Sequence, residues 1–499
     1  MEQQTHRAAQ TKLALSLLVG TIIVLAIPLQ NGGPFVYPDT MAYLKHAAKF
    51  AEQLFHVEHN FEIVPARAAH RPDLESAGSY NVVTSGRSLY YGLLAYAGWM
   101  TSFWATITLQ AGVLSWLVLL LFKSLSPSAW PYKAIGTLVI ISLFSSASFF
   151  AGLLMPDIWA GIMILALALL WTCGHQLSIG SKLAILAILA FSVLAHSSHL
   201  LLLAAVTTVF AVLWLLKPDP HEPWLRKMAM PTAALAIGVI GTVAWGLAVT
   251  VGYGATLMHR PFLTAHLTDM GPGTTYLQES CPESGFALCD YKDRLPMNWS
   301  DFLFDPSPET GVFGAAPVEV QLAIADEQTA FVLQTLAAEP VSTVSGLIKD
   351  GLTQLWTLSM AKVAITKERE DYVVQNAPSD MTAWLKETEA YNAPQLTGSI
   401  ERHNDILVAL SALVLMAWST LRFRPSSLAD PQTAAMGKLV MILITGIVLN
   451  ALICGILASP LGRFQARIIW LLPLIASLVL VSQPIALKTP RWLLKLGSR

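Results

Sequence analysis

The sequence predicts an all-α polytopic membrane protein with about ten transmembrane helices and an extracytoplasmic, mostly helical domain. Composition, the spacing of apolar runs and the placement of basic residues each point there. Of 499 residues, 54% are hydrophobic and 13% charged, where a soluble domain carries roughly 25% charged residues. Apolar runs near the ~20 residues that a bilayer needs recur along the chain. Lys and Arg gather in alternate gaps between those runs, as expected of a polytopic chain. A formal net charge of −1 points to no nucleic acid or acidic partner.

The runs cover 13–29, 103–122, 134–151, 157–172, 183–195, 200–216, 230–251, 405–421, 439–458 and 466–482. The first follows the polar, mildly basic MEQQTHRAAQTK. No clear small-residue cleavage site comes after it, so it reads as an uncleaved span. The run 183–195 is short, and fusion with 200–216 into one long helix is the alternative. Lys182 and Lys217 bracket the pair, which favours a hairpin with both lysines on one side. With the N-terminus cytoplasmic, the inner gaps hold Arg7 and Lys12, Lys123 and Lys133, Lys182, the group Lys217, Arg226 and Lys227, and the group Arg422, Arg424 and Lys438. The C-terminus, with Lys488, Arg491, Lys495 and Arg499, is then cytoplasmic too. The outer gaps 152–156 and 196–199 hold no Lys or Arg. Only SPLGRFQAR (459–467) breaks the bias, with Arg463 and Arg467.

This topology divides the chain into three parts. Residues 1–251 form a transmembrane region whose first outer loop, 30–102, carries interfacial helices in TMAYLKHAAKFAEQLFHVEH and SLYYGLLAYAGWM. Residues 252–404 are long enough for an extracytoplasmic domain. Residues 405–499 form a C-terminal transmembrane region. Cys281 and Cys289 lie close together in the second part, and an oxidising compartment would bridge them; otherwise they are two free thiols. NWS (298–300) has the form of a glycosylation acceptor. There is no internal repeat, no GxxxxGK[ST] and no GxGxxG after a strand, and no inner loop is long enough for a nucleotide-sugar domain.

Two Pro-Asp pairs fall on the outer side. In PDTMAYL, Pro38 suits a first helical turn. Asp39 then lies at a helix N-terminus that favours its anion, and Tyr43 shares its face four residues on. MPDIWAG repeats the arrangement with Asp157. An ionised carboxylate at a wet membrane boundary suits a general base or a metal ligand; a plain helix-start residue is the bland alternative. Arg463 and Arg467 share a face if their segment is helical, and Arg suits bidentate contact to phosphate, with interfacial snorkelling as the alternative. Arg87 in TSGRSLYYG and Arg260 in MHRPFLTAH add outer positive charge. His196 and His199 at a hairpin tip fit a metal, a phosphate contact or an ordinary interfacial turn; no third His stands near them.

PDTMAYL, GRSLYYGLLAY and MPDIWAG resemble motifs of the GT-C superfamily of membrane glycosyltransferases, which includes protein O-mannosyltransferases and lipid A aminoarabinose transferases. Asp39 and Tyr43 match the first acidic motif. Arg87 takes the basic position of a Lys/Arg-Pro-Pro-Leu-Tyr-like stretch, with Ser88 and Leu89 in place of the prolines. Asp157 matches an acidic site in the second outer loop. The motif likeness covers about the first 170 residues and the rest by topology only. Several relatives carry paired acids at the first motif, whereas Thr40 follows Asp39 here.

The resemblance implies an inverting transferase of a bacterial inner membrane, acting in the cell envelope. It would move a sugar from a polyprenyl-phosphate donor to a lipid, glycan or protein acceptor on the extracytoplasmic face. Asp39 would be the base. Asp157 would orient its surroundings or hold a divalent metal, with no other cofactor. Tyr43, Arg87, His196, His199, Arg260, Arg463 and Arg467 would bind substrate. A transporter or flippase for an anionic lipid or solute is the rival reading, although these charges cluster at the boundary rather than the midplane. A non-catalytic envelope-polymer assembly factor is a third.

Overall fold

A computed structural model describes residues 2–56, 82–84, 86–217, 224–252, 254–360, 363–367, 377–393, 395–422 and 430–482. Arg424 and the basic stretch Lys488–Arg499 lie outside them, as does the end of the helical stretch foreseen after Thr40. Among the described residues the chain is all-α apart from one short ribbon. The helices of the first half are α1 (Glu2–Val24), α2 (Ala26–Asn31), α3 (Pro38–Phe55), α4 (Leu89–Thr101), α5 (Phe103–Leu125), α6 (Trp130–Phe144), α7 (Ala147–Ala151), α8 (Ile158–Cys173), α9 (Ile179–Ala195), α10 (Ser197–Leu216) and α11 (Trp224–Leu247). The second half adds α12 (Phe262–Met270), α13 (Pro272–Ser280), α14 (Trp299–Phe304), α15 (Val318–Ala338), α16 (Pro340–Gln354), α17 (Ser379–Leu385), α18 (Glu389–Asn392), α19 (Gln395–Arg422), α20 (Pro431–Ala458), α21 (Gly462–Ile469) and α22 (Leu471–Ser482).

Among the described residues, seven helices are long and apolar enough to cross a membrane: Phe103–Leu125, Ile158–Gln176, Ser197–Leu216, Trp224–Gly252, Gln395–Leu421, Pro431–Ala458 and Gly462–Ser482. These mark an integral membrane protein. Shorter apolar helices, Gln10–Val24, Trp130–Phe144 and Ile179–Ala195, occupy the other three expected runs. The runs 183–195 and 200–216 belong to separate helices, joined at His196 in extended conformation.

The run 134–151, read as one span, is broken after Phe144. Ser146 at the break donates from its amide to Asn404 Oδ1 (3.1 Å) and from its hydroxyl to the Ala466 carbonyl (2.6 Å). Those bonds satisfy backbone and side chain away from the helix ladder. The run 13–29 likewise divides into α1 and α2 at Leu25.

α8 is the centre of the bundle. All of its residues except Leu170 are buried, as expected of a helix that is apolar on every side. α5, α9, α20 and α21 pack around it.

The buried residues of the stretch 252–404 are shared between two cores. Residues from Met258 to Phe331 gather a second core around Leu277, Phe302, Phe313 and Phe331. Met360, Ile365, Met381, Leu385 and Tyr391 instead pack into the main core. Hydrogen bonds fasten that later part to the first loop: Ile365 N–H donates to the Val36 carbonyl (3.2 Å), and Ala390 N–H to Asn31 Oδ1 (2.8 Å). A disulfide joins Cys281 to Cys289, with 5.5 Å between their Cα atoms. A parallel ribbon of β1 (Val82–Thr84) and β2 (Thr256–Met258) ties the first loop to the start of the second core.

Candidate functional site

The two Pro-Asp stretches meet because their backbones pair. Phe35 N–H donates to the Gly152 carbonyl (2.8 Å), and Leu154 N–H to the Phe35 carbonyl (2.9 Å). Thr40 adds its hydroxyl to the Leu154 carbonyl (3.0 Å). Gly152 has no substitute here, since a Cβ would stand 2.1 Å from Pro28 Cγ. Gln110, buried in α5, clamps the same loop. Its amide donates to the Ala151 and Leu153 carbonyls (2.9 and 3.2 Å) and its oxygen accepts from Tyr91 and Trp159 (3.2 and 3.1 Å). Asp39, in the first turn of α3, and Asp157, just before α8, therefore lie at one end of the bundle.

Arg463 joins them. Its Nε and Nη2 hold the two Asp157 oxygens at 2.8 and 2.7 Å, the bidentate geometry that makes Arg–carboxylate pairs strong. Its Nη1 lies 3.7 Å from Asp39 Oδ2, and its guanidinium stacks 4.2 Å over the Tyr37 ring. The other Asp39 oxygen accepts from Arg87. Arg467, one turn beyond Arg463 on α21, approaches Asp157 at 3.9 Å and donates to Asn450 Oδ1 (3.1 Å) and the Ser198 hydroxyl (3.2 Å). Three arginines thus face two carboxylates. Burial pushes the Asp39 carboxyl up, but the Arg87 and Arg463 charges outweigh it and hold its pKa below the ordinary carboxylate value.

A cavity of about 270 Å³ opens beside these groups. Its polar lining includes Asp39, Arg87, His196, Arg463 and Arg467, and its apolar lining Leu201, Phe262, Trp299, Phe304, Ile453 and Leu457. Asp39 keeps 26% of its side chain exposed. Asp157 is 1% exposed and does not line the cavity; it lies behind Arg463 and fixes that guanidinium. On the far side of Trp299 is a second, polar groove of about 610 Å³ with His266, Asp269, Asn298, Lys349 and Asp350 in its walls.

The remaining predicted residues divide. His196 lines the cavity, its Nδ1 accepting from Ser198 N–H (3.1 Å). His199 is buried beside it, ring centroids 5.3 Å apart, with Nδ1 on the Ser192 carbonyl (3.0 Å). Tyr43 turns away from the cavity: it is buried edge-on against Tyr91, and its hydroxyl has no hydrogen-bond partner among the described residues. Arg260 stacks 4.9 Å from the Phe304 ring at the cavity margin. Arg463 and Arg467 are 7% and 2% exposed, so they are enclosed rather than snorkelling. Sequence reasoning passed over Tyr37, Gln110, Asn450 and the aromatic wall. Gln110 and Asn450 carried a signal, since a polar amide inside an apolar run must find hydrogen bonds.

The donor set does not suit a divalent cation at Asp157. Arg463 occupies both carboxylate oxygens, and Arg467 stands next to them. Among the described residues no three His, Cys, Asp or Glu side chains converge. No protein-family model matches the chain, and neither does any curated protein or solved structure.

Proposed function

We propose that this chain is a membrane glycosyltransferase of GT-C type, with about ten spans and both termini cytoplasmic. It would move a sugar from a polyprenyl-phosphate-linked donor to an acceptor on the extracytoplasmic face. The observation that carries the reading is the lining of the cavity: a partly exposed carboxylate and three guanidiniums together with hydrocarbon and aromatic rings. An isoprenoid phosphate needs both kinds of lining at once. The apolar residues receive the first isoprene units, and Arg87, Arg463 and Arg467 receive the phosphate oxygens. The polar groove beyond Trp299 gives a hydroxyl-bearing acceptor a wet approach.

In the reaction the acceptor hydroxyl oxygen bonds to the anomeric carbon as the bond from that carbon to the phosphate oxygen breaks. The bonding pair stays on the phosphate, whose added charge faces the arginines. Asp39 takes the hydroxyl proton. In the free protein Arg87 pairs with Asp39 and keeps it a weak base. The donor's phosphodiester anion competes for Arg87 and Arg463, and as they turn to it Asp39 loses counter-charge and gains basicity.

The test is reconstitution of the purified protein in liposomes with a pooled lipid-linked sugar fraction. Free polyprenyl phosphate, read by mass spectrometry, should accumulate only with protein and acceptor present. Binding of lipid-linked sugars with no release under any acceptor would overturn the reading in favour of a carrier.

A further inference from the structure

α16 carries three different surfaces, each running its full length. Thr343, Gly351 and Gln354 are buried. Gln354 exchanges hydrogen bonds with the Leu461 backbone (3.0 and 2.7 Å). A Cβ on Gly455 of α20 would stand 2.6 Å from the Asp350 carbonyl, so the two helices touch backbone to backbone there. Ser342, Ser345, Lys349 and Asp350 form a second stripe along the polar groove. The third stripe is Val341, Val344, Ile348 and Leu352, exposed by 79, 46, 52 and 51%. Trp356 follows just beyond the helix end, 82% exposed. The spacings of three and four residues place each set on its own face.

This division fixes the orientation. A helix crossing a membrane boundary along the normal changes from polar to apolar along its axis. α16 changes around its axis and not along it, so water and hydrocarbon lie on different sides of one helix. Its buried stripe rests on the last turns of α20, a helix apolar enough to span, and the end of a span is the bilayer boundary. α15 and α16 together have the composition of a span, but they are bent by 112° at Pro340, which turns α16 away from the direction of α15. Bulky apolar side chains in such a row gain by leaving water for lipid, and a terminal Trp is enriched at that interface.

We propose that α16 lies flat in the boundary of the lipid bilayer, with Val341, Val344, Ile348 and Leu352 among the acyl chains at the level where α20 ends. The polar groove then opens at the membrane surface, and the second core is anchored to the lipid beside it. The inference requires that α20 crosses a membrane and is independent of any transfer activity.

The experiment uses the full chain in lipid nanodiscs with a nitroxide at single cysteines. Val344→Cys, Ile348→Cys and Leu352→Cys probe one stripe; Ser342→Cys, Ser345→Cys and Lys349→Cys probe the other. All six positions are exposed, so substitution leaves the packing intact. The unsubstituted protein, labelled in parallel, gives the background from Cys454, which lines the cavity. The first three labels should collide more with oxygen than with a nickel chelate, and the second three the reverse, alternating with the helical period. Preference for the nickel chelate at all six would place α16 in water. Preference for oxygen at all six would make it a re-entrant segment. Either result overturns the proposal.

Discussion

Arg463→Met isolates the energetics of the site. The substitution keeps an unbranched side chain of similar length and removes the charge. Asp157, 1% exposed, then loses both close donors and retains only Arg467 at 3.9 Å. Removing one member of a buried ion pair costs about 3–5 kcal/mol, because the other charge is left uncompensated. Asp157→Leu is expected to cost less, since Arg463 keeps Asp39 at 3.7 Å and the Tyr37 face. The double variant removes both buried charges, and a well-packed apolar pair is often no less stable than the ion pair it replaces. It should therefore be more stable than Arg463→Met alone. The assay is reversible unfolding of the purified protein in mixed micelles, read by far-ultraviolet circular dichroism and analysed as a double-mutant cycle. If Arg463→Met falls within about 1 kcal/mol of wild type, or the two changes add, the pair is not coupled as its geometry requires.

Other expectations follow from the two cores and from α3. Replacing Cys281 and Cys289 with Ser removes the short-loop bridge from the second core and should lower its stability by about 2–3 kcal/mol in the chain-entropy model; non-reducing peptide mapping that finds both thiols free in native protein would refute the bridge. Burial pushes His46 down to about 4, so the folded state holds it neutral while the unfolded chain protonates near 6.5. Stability should thus fall as pH drops from about 6.5 towards 4, and His46→Gln should flatten that part of the unfolding profile. An unchanged slope in the variant would assign the titration to another group.

The helices were largely legible because apolar runs and the caps that start them are local signals. Ser88, Ser102 and Ser178 accept hydrogen bonds from the first amides of α4, α5 and α9, as such residues do at helix starts. Asp39, Asp157 and the odd basic pair Arg463 and Arg467 stood out from sequence by depth and charge, and the structure brings them together. What joins them did not stand out. The Arg463–Asp157 contact spans 306 residues, and a long-range pair leaves no period in the chain. Tyr43 shares a helical face with Asp39, but which neighbour that face meets depends on α4, where Tyr91 receives it. The division of 252–404 between two cores did not stand out either, because it is one of partner, set by hydrogen bonds to the Val36 carbonyl and the Asn31 side chain.

Asp39→Asn separates binding from chemistry. The variant keeps the shape and hydrogen-bonding capacity of the side chain, frees Arg87 and Arg463 from one negative charge, and removes the base. Polyprenyl phosphate binding and single-turnover release of lipid phosphate are to be measured on the same preparation in liposomes. The variant should bind polyprenyl phosphate at least as tightly as wild type and release lipid phosphate from the sugar-linked donor about 10²–10⁴-fold more slowly. Release at the wild-type rate with binding intact would show that Asp39 takes no proton in the reaction, and would leave it the counter-charge of Arg87 alone.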